Sequence, residues 1–164
     1  MNIGKPGQII TISASGTNQQ LQRAIESAVP AAVMQTKELS KKFRGLTDRQ
    51  TALNIFNFLK TQIQYKADGN HQKVKLPSAL LRTRVGDCKS YSLFTAAILT
   101  NLKIPYRFTY ASYNAANKEP EHIYVTTDSG YIIDAVWGKF NSEKRAAHKF
   151  NRKINGVFNP LLQL

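Results

Sequence analysis

From Thr17 to about Asn101 the apolar residues of this chain recur mostly at helical spacing. Beyond Ile104-Pro105 they fall into short extended runs separated by turn residues. A chain that places helices first and a compact antiparallel meander after them is limited to the α+β class. Its 164 residues fit one domain with one sizeable core. The helical half reads as two helices, 18–29 and 31–43, interrupted by Pro30, because proline lacks the donor a helix interior needs. Gly45 ends the second. Thr47 or Asp48 caps a third over 48–64, with Ala52, Ile55, Phe56, Leu59 and Ile63 at helical spacing. Residues 65–77 read as a polar loop with a turn at Asp68-Gly69-Asn70. Ser78 can cap a short helix over 79–84, Gly86-Asp87 breaks the chain, and a helix over 88–101 follows, with Phe94, Ala97, Ile98 and Leu102 as its apolar stripe. A short β-prone run, 8–13, precedes them all.

Three strand candidates follow: 106–112, 122–127 and 131–136. The last two flank Asp128-Ser129-Gly130, a good hairpin loop. Tyr106, Phe108 and Tyr110 alternate as bases on a stacking platform would require, but equally as one buried sheet face, which is the preferred reading. The tail 142–153 reads as a basic helix, with an irregular end around Pro160.

One cysteine permits no intrachain disulfide and suits a reducing compartment. No run approaches the ~18 apolar residues of a membrane helix, so no membrane partner is expected. The start, MNIGKPGQIITIS, lacks a signal peptide's basic region and longer apolar stretch. The cytoplasm, or a particle assembled there such as a virion, is the expected address. One Cys and three His make four good metal ligands hard to find, so no metal is expected, and no cofactor. The net charge of +13 favours a polyanion, nucleic acid or an acidic partner. It is most concentrated in residues 137–164, where six Lys/Arg stand against one acid. A solvated cationic face has the same composition.

Cys88 lies where the chain enters a helix. Free N–H groups and the helix dipole there favour an anion and so lower a thiol pKa. Lys89 and Arg84 add positive potential, and Asp87 reads as the helix cap. A lone Cys is otherwise a small buried hydrophobe. His122 and Asp134 bear on the choice. If the hairpin loop has three residues, with Gly130 in the left-handed position of a bulge, Thr127 faces Tyr131, Tyr124 faces Asp134 and His122 faces Val136. His122 and Asp134 then share one face as diagonal neighbours, roughly 7–8 Å apart at the backbone. A five-residue loop sets them directly opposite, and a two-residue loop puts them on opposite faces. A pairing on one face lets His122 take the thiol proton and return it to a leaving group, while Asp134 holds the ring.

The stretch Arg84-Val85-Gly86-Asp87-Cys88-Lys89-Ser90, followed by Ile104-Pro105, resembles the core motif of the transglutaminase-like superfamily. Glu121-His122-Ile123-Tyr124-Val125 is similar to that family's histidine strand, and Gly130-Tyr131-Ile132-Ile133-Asp134 to its aspartate strand. Residues 63–68 and 77–81 resemble its upstream segments, and the likeness covers about 48–140. It implies a papain-like core, with the Cys-bearing helix packed on an antiparallel sheet that presents His and Asp. It implies thiol-dependent acyl chemistry on amides of a protein or peptide substrate, through a thioester on Cys88. Water as acceptor gives a peptidase or amidase, and an amine gives cross-linking. Two positions depart from the family: Lys89 stands where an acidic or small residue is frequent, and Lys103 where Gly is usual. An oxyanion hole needs donors aimed at the developing charge. The Cys88 N–H is one, and Gln64, Tyr65 and Gln72 are candidates for the other, with Gln72 slightly preferred.

The expected layout is thus an N-terminal extension of a short strand and helices over 1–47, a core over 48–140 and a basic tail over 141–164. The alternative function is a catalytically inactive basic module on the same fold, which binds nucleic acid or serves in a larger assembly such as a phage particle. His71 and His148 read as solvent-exposed, and Trp137 as a core residue that could also cover the site.

Overall fold

A computed structural model describes residues 9–12, 17–69 and 72–154. The architecture is α+β: N-terminal helices and a long buried helix packed with an antiparallel sheet.

Helix α1 (Asn18–Gln35) opens on a capping box, in which Thr17 accepts from the Gln20 N–H and the Gln20 side chain returns to the Thr17 N–H. It runs unbroken through Pro30, so the two-helix reading is corrected. Pro30 faces solvent, while Ala28, Val29, Ala31 and Ala32 are buried, and their packing outweighs the lost backbone bond. A short helix α2 (Lys37–Ser40) and a 3₁₀ turn, 41–43, lead to α3 (Asp48–Gln62), capped by Thr47.

The expected polar loop holds two strands. β2 (Gln64–Tyr65) pairs in parallel with β4 (Val85–Gly86), and β3 (Gln72–Lys75) pairs with β1 (Ile9–Ile12). Between β3 and β4, α4 (Pro77–Thr83) starts with Pro77 in its first turn, and Ser78 is not its cap. The Ser78 N–H is instead satisfied by the Gln35 side chain at 3.0 Å.

Helix α5 (Cys88–Asn101) is the axis of the core, with Leu93, Phe94, Ala97, Ile98 and Leu99 fully buried. Asp87 caps it by accepting from the N–H groups of Lys89 (3.1 Å) and Ser90 (3.4 Å). Its far end closes with Ile104 N–H to Leu99 C=O (3.0 Å) around Lys103, whose φ of 60° lies in the left-handed region. That conformation is relaxed for glycine and costs a lysine about 1 kcal/mol. It is the position where the family usually has Gly.

Strands β5 (Tyr106–Ser112), β6 (His122–Thr127), β7 (Ile132–Ile133) and β8 (His148–Arg152) form one antiparallel sheet in the order β7-β6-β5-β8. Tyr106, Phe108 and Tyr110 are buried in the core. β8 replaces the expected basic helix. The free edge of β5 offers unpaired backbone groups, and Phe150 stacks on Tyr110 with ring centroids 5.0 Å apart. Three of the tail's cations pair within the fold: Lys149 with Glu143 (3.1 Å), Arg152 with Glu26 (3.0 and 3.1 Å) and Lys153 with Asp128. His148 is half-buried rather than exposed, with Nε2 3.0 Å from the Ala115 carbonyl. His71 and the segment around Pro160 lie outside the described residues. Among the described residues no helix is long and apolar enough to cross a membrane.

Candidate functional site

The β6–β7 hairpin sets the register on which the site depends. Val125 pairs with Ile133, and the Thr127 N–H reaches the Tyr131 carbonyl at 2.9 Å. The loop is therefore the three-residue one, with Gly130 at φ +98° and its N–H on the Thr127 carbonyl. His122 and Asp134 come to the same face, and Nε2 of the ring lies 2.7 Å from Oδ2 of the carboxylate. Both side chains are buried, at 5% and 2% exposure. A second acceptor on the carboxylate takes the Val136 N–H at 3.4 Å.

Cys88, at the start of α5, lies close enough to the ring for its sulfur to favour the charged imidazole. With Nε2 held by Asp134, Nδ1 is the nitrogen left for the thiol. Burial works against charge on His122, but the hydrogen bond to Asp134 and the nearby Cys88 sulfur outweigh it and raise the pKa from 6.5 to about 9. The ring is thus held as an imidazolium at neutral pH. Because the folded pKa exceeds the unfolded one, the stability contributed by this group is complete below about pH 6.5 and is lost as pH rises through about 9. In an NMR titration the His122 ring should titrate near 9. Asp134→Asn removes the carboxylate charge and should lower that midpoint by more than one unit; an unmoved midpoint would mean that Asp134 does not hold the ring's proton.

Aromatic side chains enclose the imidazole. Tyr113, Tyr124 and Trp137 have ring centroids 6.1, 5.7 and 5.8 Å from it. The Lys144 ammonium lies 4.3 Å from the Tyr113 centroid and 5.7 Å from that of Trp137. The Tyr124 hydroxyl donates to Glu143, which also receives Lys149. Trp137 therefore does pack at the site. Its Nε1 and the Tyr113 hydroxyl are buried without a hydrogen-bond partner among the described residues. Tyr113, Glu143 and Lys144 escaped the sequence reading. The alternation that sets Ala111 opposite His122 would also have put Tyr113 on that face. No local signal marked Glu143 or Lys144.

Of the oxyanion candidates, Tyr65 has its phenol within electrostatic reach of Cys88, Asp87 and Asp134. Its pKa rises from 10.0 to about 12, through burial first and then the charges of Cys88, Asp87 and Asp134. The pairing of Tyr65 with Gly86 fixes it two residues upstream of Cys88 in the facing strand, and its ring meets that of Tyr91 edge-on at 5.9 Å. Gln64 is exposed on the same short strand. Gln72 opens β3 opposite Ile12, and no hydrogen bond joins it to Cys88 or His122 among the described residues. The N–H groups of Lys89 and Ser90 are taken by Asp87, whereas that of Cys88 has no such cap partner. No cluster of metal-ligating side chains occurs among the described residues.

The family model described as the transglutaminase-like superfamily matches residues 37–149. The chain is also similar to the UPF0252 protein MJ1282 of Methanocaldococcus jannaschii, 29% identical over 98 residues, which covers 54% of this chain and 28% of that protein. The chain therefore spans little more than a quarter of that relative's length. No solved structure matches.

Proposed function

The chain belongs to the transglutaminase-like superfamily, and from that premise we propose that it is a thiol enzyme acting on amide bonds, with Cys88 as nucleophile, His122 as acid and base, and Asp134 as the group that orients the ring. The observation that carries this reading is the buried His122–Asp134 pair, 2.7 Å apart, with Cys88 near enough to help raise the ring's pKa to about 9.

In this reading the Cys88 thiolate attacks the amide carbonyl carbon, and the carbonyl electron pair moves onto oxygen. His122 gives its proton to the leaving nitrogen as the C–N bond breaks, and a thioester remains on Cys88. The neutral ring then takes a proton from the acceptor, which attacks the thioester and expels the thiolate. Water releases a carboxylic acid, and an amine forms a new amide. The Cys88 N–H and the Tyr65 phenol are the donors proposed for the oxyanion, in place of Gln72. The charges that hold the phenol protonated keep it a donor throughout the working pH range. A nucleophilic thiol of this kind is best kept reduced in the cytoplasm or in a particle assembled there.

Alkylation by iodoacetamide followed by mass spectrometry tests the site without a known substrate. Cys88 should be labelled at pH 6 far faster than free cysteine, and Cys88→Ala should take up no label and turn over no amide. Labelling at pH 6 no faster than that of free cysteine would defeat the proposal.

A further inference from the structure

A cavity of about 730 Å³ opens beside the start of α5. Gly86 and Asp87, the two residues before Cys88, and Ser90 form one wall. Lys66, Asp68 and Gly69 from the loop after β2, with Lys73 and Lys75 from β3, form the rest. Its volume is in the range of a ligand site, well above what one side chain fills.

The charges of this wall do not cancel. Asp68 and Asp87 both engage the buried Lys89, which lies 3.4 Å from Asp68 and donates to Asp87. Burial lowers the Lys89 pKa, but the Asp87 charge more than offsets this and raises it, so the ammonium is retained. Asp68 also accepts the Lys73 backbone N–H at 2.5 Å, and Asp87 caps α5. All ten acidic side chains of the protein lie among the described residues, and none is in ion-pair range of Lys66, Lys73 or Lys75. Lys75 is half-buried, with its Nζ on the Val85 carbonyl (2.7 Å) and Thr83 Oγ1 (3.1 Å). These are neutral acceptors, and the charges of Asp68 and Asp87, beyond ion-pair range, offset its burial only in part. Burial accordingly depresses its pKa. Three lysines out of ion-pair range of every acidic side chain, around a concave site that ends one residue from Cys88, form a receptor for negative charge.

We propose that this cavity binds carboxylate side chains of an acidic peptide and so selects acidic protein segments as the acyl donors of Cys88. The proposal rests on the thiol-enzyme reading for the chemistry, but the binding it describes can be measured apart from it.

The experiment uses the full chain with Cys88→Ala and a fluorescein-labelled hexaglutamate peptide, followed by fluorescence anisotropy at low and moderate salt. Affinity should exceed that for labelled hexaglutamine and fall with salt. The double substitution Lys66→Gln/Lys73→Gln should weaken it about tenfold, and Lys66→Arg/Lys73→Arg should restore it. Lys42→Gln/Lys60→Gln removes two exposed cations outside the cavity and should change it less than twofold. Equal losses from the two glutamine pairs, or equal affinity for hexaglutamine, would overturn the proposal in favour of diffuse attraction by a cationic surface. So would duplex DNA binding that falls with Lys66→Gln/Lys73→Gln while hexaglutamate binding does not. Because the thiol is absent from the assay, an unreactive Cys88 in the unmodified protein would defeat the enzymatic reading alone.

Discussion

His122→Ala should lower kcat/KM for amide turnover by about 10³-fold or more, because in the proposed mechanism the ring both maintains the thiolate and protonates the leaving nitrogen. The same substitution should slow iodoacetamide labelling of Cys88 at pH 6 about a hundredfold, since a thiol of ordinary pKa is almost wholly protonated there. The two readouts separate the functions of the ring. Alkylation needs only the thiolate, whereas turnover also needs a proton delivered to nitrogen. Raising the pH should therefore restore labelling of the His122→Ala protein but not its turnover. Labelling at pH 6 that survives the substitution would show that the helix terminus and Lys89 alone ionise the thiol.

Phe94→Ala should destabilise the fold by about 3–5 kcal/mol. Phe94 is fully buried in the middle of α5, stacked on Phe58 at 5.5 Å and edge-on to Phe43 at 5.9 Å. The substitution removes the most buried ring of that three-ring cluster and opens a void between α5, α3 and the turn before it. For a chain of this size the expected fall in Tm is roughly 10 °C, at about 2–4 °C per kcal/mol. Chemical denaturation gives the free energy directly. A loss below about 1.5 kcal/mol would show that the cluster closes over the void. Because α5 carries Cys88 at its first turn, reactivity of the thiol should also decline as the helix loses its seat.

The parts of the fold written in short segments were legible in the sequence. Thr47 caps α3, Asp87 caps α5, and the register of the hairpin follows from one loop length, Asp128 to Gly130. Each depends on residues within a few positions of one another, and the turn chemistry of Gly130 carries through β6 and β7 to bring His122 and Asp134 together. What was not legible depends on distant partners. Pro30 reads as a helix break until α1 packs on α5, with Val29 and Ala31 on either side of it buried. The residues of β8 carry no strand signal of their own and become a strand because β5 has a free edge. Lys144 and Trp137 are seven residues apart and converge on Tyr113 only once the sheet is formed. Nothing local ties Tyr65 to the start of α5, because the parallel pairing that brings it to Gly86 spans more than twenty residues.

The strand order has a consequence for self-association. A sheet with two open edges invites a second copy to add a strand to it. One edge here, β7, is only two residues long and offers too little backbone to hold another chain. The other, β8, presents His148, Lys149 and Arg152, with no acidic residue in the strand. A strand added there would have to fit beside two ion pairs already made within the chain, Lys149 with Glu143 and Arg152 with Glu26. The segment that completes the sheet thus also discourages it from growing into a fibril.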